Sequence, residues 1–167
     1  AYQTAYVLTP EDIDIYVNLG SAFYDKEDYN NALAVYRQAL ELQPHNPKIH
    51  CNLGFLYWGK ADTEEAIKSY ELAIKYNSKY DIAYNNLGVI YLDDLGRVNK
   101  AIELFRKAVE VNPSYALAHF NLARSISIIG DKVEAAKLYQ LAQDINKVTQ
   151  EIDPRDIADK ISELFES

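Results

Sequence analysis

The chain has 167 residues, 49% hydrophobic and 25% charged, the balance of an ordered globular protein and not of a disordered one. Its 17 lysines and arginines stand against 25 aspartates and glutamates, a formal charge of −8 that argues against the basic face a general nucleic-acid binder needs. No run approaches the roughly 18–20 apolar residues of a membrane span, and one cysteine, Cys51, rules out an internal disulfide framework and points to a reducing compartment such as the cytoplasm.

In chain order, Tyr2, Ala5 and Pro10 come first, with the spacing of Tyr36, Ala39 and Pro44 further on. The sequence contains 14 tyrosines and no methionine. Residues 1–12 are therefore expected to be the second-helix remnant of an upstream repeat, in a chain cut from a longer array. Residues 13–26 place Ile13, Tyr16, Leu19, Gly20 and Phe23 on one helical stripe, and residues 31–42 do the same with Ala32, Leu33, Tyr36, Ala39 and Leu40. Pro44 closes the second of these helices, because proline cannot continue a helix and restricts the residue before it. Small residues at Gly20, Ala32 and Ala39 let two backbones approach, and the rings of Tyr16, Phe23 and Tyr36 fill the space between them.

The same unit then recurs. Asn-Leu-Gly stands at 18–20, 52–54 and 86–88, with Asn121-Leu122-Ala123 as a weaker copy, at steps of 34, 34 and 35 residues. A second marker keeps phase with it: Ala32/Tyr36/Ala39, Ala66/Tyr70/Ala73, Ala101/Phe105/Ala108 and Ala135/Tyr139/Ala142. The units are 13–46, 47–80, 81–115 and 116–149. His50 and His119 replace the first aromatic of their units, and Ile126 the second. Pro113 closes the third unit; Ser78 and Lys147 stand at that place in the second and fourth. The third unit has one extra residue, expected in the turn 93–97 between its two helices. Asp153-Pro154 opens a last helix whose stripe of Ile157, Ile161, Leu164 and Phe165 makes 150–167 a C-terminal cap over the fourth unit.

The 34-residue period, the Leu-Gly pair, the aromatic three residues later, Ala-x3-aromatic-x2-Ala and the closing proline resemble the tetratricopeptide (TPR) signature. The resemblance implies an all-α fold, a right-handed α-solenoid or superhelix of antiparallel helix pairs, with a concave face lined by the first helix of each pair. In that family the face takes side chains from positions two, five, six, nine, twelve and thirteen of the repeat. Position six is asparagine in every unit: Asn18, Asn52, Asn86 and Asn121. An amide both donates and accepts, so a column of them can pair with the backbone of an extended peptide, and this column resembles the asparagine ladder of the TPR superhelices in O-GlcNAc transferase and kinesin light chain. The alternative is that these amides bond between neighbouring helices. Around the column, Phe55, Trp58, Val89 and Leu92 make an apolar strip with Phe120 and Arg124 beyond it, and Trp58 is the expected hot spot.

The expected function is thus a protein-interaction scaffold that holds a peptide or helix of a partner protein, with no cofactor, no metal and no enzymatic activity. Self-association through exposed repeat ends near Tyr2 and Tyr6 is one alternative. A substrate-recruiting region of a larger enzyme, such as a glycosyltransferase, is another. The carboxylate clamp of chaperone-binding TPR domains is not expected: its first-unit places hold Val17 and Ser21, its third-unit places hold Ile82 and Asn86, and only Asn52 matches.

Overall fold

A computed structural model describes residues 12–165. The upstream helix expected within residues 1–12, with Tyr2 and Tyr6, falls almost wholly outside that range. The described residues form nine α-helices and one π-helical turn, with no strand among them. The chain divides into two compact units, with the boundary between Ser78 and Lys79.

The first unit contains α1 (Ile13–Tyr24), α2 (Tyr29–Leu42), α3 (Pro47–Gly59) and α4 (Thr63–Tyr76). Its core joins Tyr16, Val17 and Leu19 of α1, Ala32, Tyr36 and Ala39 of α2, and Ile49, Leu53 and Leu56 of α3. The alanines, with Gly20 in α1 and Gly54 in α3, set the spacing. A Cβ added at Gly54 would stand 2.7 Å from the Tyr70 ring, so the ring of the second helix lies directly on the backbone of the first.

The second unit contains α5 (Asp81–Val89), a π-helical turn (Ile90–Asp94), α6 (Val98–Val111), α7 (Ala116–Ile128), α8 (Lys132–Thr149) and α9 (Pro154–Glu163). Phe105 lies on Gly88 as Tyr70 lies on Gly54. Ile157 and Leu164 of the last helix segment join the core of Leu122, Ile126 and Tyr139. Phe165, expected on that stripe, is 68% exposed instead. Without a proline at its end, α8 runs past Lys147 to Thr149 and stops at Gln150 in the left-handed conformation (φ 54°).

One hydrogen bond closes every helix pair. The backbone N–H that opens the second helix donates to the carbonyl at the second aromatic place of the first: Asp28 to Phe23 (2.9 Å), Asp62 to Tyr57 (2.9 Å), Arg97 to Tyr91 (2.7 Å) and Asp131 to Ile126 (3.3 Å). The third pair spans one residue more than the others yet keeps this closure. It does so because the extra residue enters earlier than expected, as a widened last turn in which Leu95 N–H donates to Ile90 O (3.2 Å). A π-turn of this kind absorbs a single inserted residue without ending the helix.

At this corner Asp28, Asp62 and Asp131 also cap the second helix with their carboxylates. Arg97 has no such side chain, and α6 starts uncapped. Loss of an N-cap carboxylate costs about 1 kcal/mol. Asp62→Ala is expected to destabilise the protein by that amount in a urea melt, and Asp62→Asn by much less.

The two histidines at aromatic places have a shared use. His50 Nε2 lies 2.8 Å from Pro44 O, and His119 Nε2 lies 3.0 Å from Pro113 O. Each ring ties the start of a first helix to the proline that precedes it, a bond that a phenyl ring cannot make.

Candidate functional site

In the first unit the first helices α1 and α3 bring three rings together. Tyr24, near the end of α1, packs on Phe55 with centroids 4.8 Å apart, and Phe55 meets Trp58 edge-on at 6.3 Å. Tyr29, the first residue of α2, backs Tyr24 at 5.5 Å. Phe55 is 42% exposed, a large apolar ring held at the surface by its neighbours. A Cβ at Gly59 would come within 2.5 Å of the Tyr24 hydroxyl, so this glycine is what allows Tyr24 to reach across to the end of α3. Burial, then the charges of Tyr29 and Asp25, raise the Tyr24 phenol above its ordinary value, which keeps the ring neutral.

The amides of this unit flank the rings. Asn18 is exposed on α1. Asn52 is half-buried, and its Nδ2 is buried with no acceptor among the described residues. A buried donor without an acceptor is costly, and Asn52 carries one on this face. Lys48 and Asp14 form an ion pair at 2.7 Å on the same pair of helices.

The second unit uses its amides differently. Asn121 is 4% exposed. Its Nδ2 donates to Asn85 Oδ1 at 2.9 Å, and its Oδ1 accepts from Arg124 at 3.3 Å. Asn85 Nδ2 in turn donates to Asn86 Oδ1 at 3.2 Å, and Arg124 completes the chain with Asp93 at 3.0 Å. Asn121, expected in a peptide ladder, is thus committed at both amide atoms to neighbours on α5 and α7. The cause lies at position five. That place is buried in the first three repeats, at Val17, Cys51 and Asn85. In the third repeat it holds an amide that must be satisfied from within.

Leu92 also differs from its expected place. It is 7% exposed and belongs to the core. The π-turn explains this, since one extra residue rotates the residues after it by about 100° around the helix axis. Leu92 swings inward, and Asp93 is left to meet Arg124. Val89 and Asn86 remain half-buried on α5, and Phe120 is half-buried against Tyr139, edge-on at 5.5 Å.

Burial pushes the Tyr139 phenol up to about 12 from 10.0, with Arg124 opposing the rise. The folded chain keeps this proton where the unfolded chain gives it up. Its contribution is therefore complete below pH 10 and disappears as pH climbs to about 12. Tyr139→Phe is expected to lose less stability than the wild type between pH 9 and pH 11.5 in denaturant melts.

Sequence reasoning missed the roles of Asn85 and Asp93. Asn85 carried a signal: a polar residue at the position that Val17 and Cys51 fill with apolar side chains. No group of three or more metal-ligating side chains occurs among the described residues. No helix among them is long and apolar enough to cross a membrane.

Known proteins resemble this chain in sequence and in fold. A family model described as TPR repeat matches residues 20–60, 62–94 and 94–125. A stretch of 44 residues is 46% identical to the uncharacterized protein MJ0572 of Methanocaldococcus jannaschii. It covers 26% of this chain and 51% of the relative, so the match spans about half the relative's length. Among solved structures, MamA is 24% identical over 91% of this chain and 88% of its own, with a TM-score of 0.72. YrrB, described as a TPR protein with an unusual peptide-binding site, is 20% identical over 99% and 92%, with a TM-score of 0.67. PilF of Pseudomonas aeruginosa is 21% identical over 96% and 78%, with a TM-score of 0.76. At these identities the three structures carry the fold, an all-α solenoid of helix pairs.

Proposed function

The chain belongs to the TPR repeat family, a family of interaction scaffolds, and we propose that it binds an extended segment of a partner protein on the α1/α3 face of its first unit. The observation that carries this reading is the exposed Phe55, gripped between Tyr24 and Trp58 at 4.8 and 6.3 Å. Apolar rings held rigid at a surface lose little entropy on binding and make favoured anchors. The backbone of the segment would run past the amides of exposed Asn18 and half-buried Asn52, groups that both donate and accept. Peptide binding by YrrB, a protein of the same fold, supports a segment of this kind.

Of the four column asparagines, Asn18 and Asn52 carry the proposal, because Asn121 has its amide engaged and Asn86 accepts from Asn85. Panning a random dodecapeptide display library against the protein tests it. Selected peptides are expected to bind the wild type and to weaken severalfold with Asn52→Ala. Peptides that ignore both Asn52 and the three rings would defeat the reading.

A further inference from the structure

The carboxylate that follows α1 and the one inside the π-turn after α5 are held differently. Asp25 and Asp93 both stand thirteenth in their repeats. Asp93 is paired: Arg124, ninth in the following repeat, reaches it at 3.0 Å. The residue ninth in the repeat after Asp25 is Phe55. None of the ion pairs among the described residues involves Asp25, whose backbone N–H caps α1 through Ser21 O at 2.9 Å while its side chain is exposed. In the second unit the fold supplies its own arginine, and in the first it supplies an aromatic ring.

We infer that the segment bound by the first unit carries an arginine or lysine that lies over the Tyr24 and Phe55 rings and pairs with Asp25. The inference rests on the proposed binding reading and names the chemistry of its partner. Three features converge on a cation. Ring faces carry the negative part of the aromatic quadrupole, and a guanidinium or ammonium within about 6 Å of a ring centroid is attracted to it. The helices α1 and α3 both end beside these rings, with Lys26 and Lys60 just past their last turns, and a helix C-terminus is the negative end of its dipole. Acidic side chains outnumber basic ones across the first unit. Arginine fits best, because its planar group stacks on a ring while its N–H fork meets a carboxylate.

The test uses dodecapeptides selected from a random display library, measured by fluorescence anisotropy on the full chain. Selected peptides are expected to contain an arginine or lysine next to apolar residues. Replacing that residue with norleucine should weaken binding at least tenfold on the wild type and clearly less on Asp25→Asn, where only the ring contact remains. Peptides that need Phe55 and Trp58 but tolerate norleucine would overturn this inference and leave the binding reading standing. Peptides that are indifferent to Phe55→Ala, or a library that yields none, would overturn both.

Discussion

Phe105→Ala is expected to cost about 3–5 kcal/mol of unfolding free energy, the range for deleting a buried aromatic ring. Phe105 is fully buried on α6, and its ring lies against Gly88, 2.6 Å from where a Cβ would stand. Its neighbours in the core include Ala101, Ala123 and Ala135. Side chains this small cannot swing inward to fill the space left behind, so the cavity stays open and the cost falls at the upper end of the range. The same contact explains the glycine. Gly88→Ala forces a methyl group into the ring and should cost about 1–3 kcal/mol by overpacking. In the Phe105→Ala background that penalty should shrink to nearly nothing, because the clash is gone. A double-mutant cycle in urea at 25 °C measures the coupling. Additive losses would show that the glycine is there for some reason other than the ring.

The second large effect concerns binding. Phe55→Ala and Trp58→Ala are each expected to weaken a selected peptide by about 2 kcal/mol or more, roughly thirtyfold at 25 °C. Phe55 is the cleaner variant. Its ring is 42% exposed, so its removal creates little cavity and should lower folding stability by less than about 1 kcal/mol. A large loss of affinity with a small loss of stability separates an anchor from a core residue. Leu92→Ala should show the reverse, a clear loss of stability with binding to the first unit unchanged, because Leu92 is in the core of the second unit.

The sequence and the structure agree where the physics is periodic. Small residues at Gly20, Gly54, Gly88 and Ala123, and large rings facing them from Tyr36, Tyr70, Phe105 and Tyr139, repeat at a fixed step. Both are dictated by how closely two helices can approach. The family and the helix pairs were legible on that account alone. The departures occur where one residue breaks the period. An inserted residue near Ile90 becomes a π-turn, which buries Leu92 and turns Asp93 toward Arg124. An asparagine at a buried position makes Asn85 recruit Asn86 and Asn121, so one rung of the expected column serves the fold. Neither result can be had from counting positions, because both depend on which atoms meet after the helices have packed. In the site, the rings were partly legible: Phe55 and Trp58 stand at surface positions of the repeat. The part played by Gly59 in admitting Tyr24 was not, since it depends on a contact between two helices that the spacing does not reveal.

The central claim is that the α1/α3 face of the first unit is a binding surface for a peptide segment. Two-dimensional NMR of the 15N-labelled protein, titrated with a library-selected dodecapeptide, tests it most directly. The account predicts shift changes concentrated on Asn18, Tyr24, Asp25, Asn52, Phe55 and Trp58, including the side-chain amide of Asn52 and the indole N–H of Trp58. Changes confined to other helices, with these signals unmoved, would contradict it.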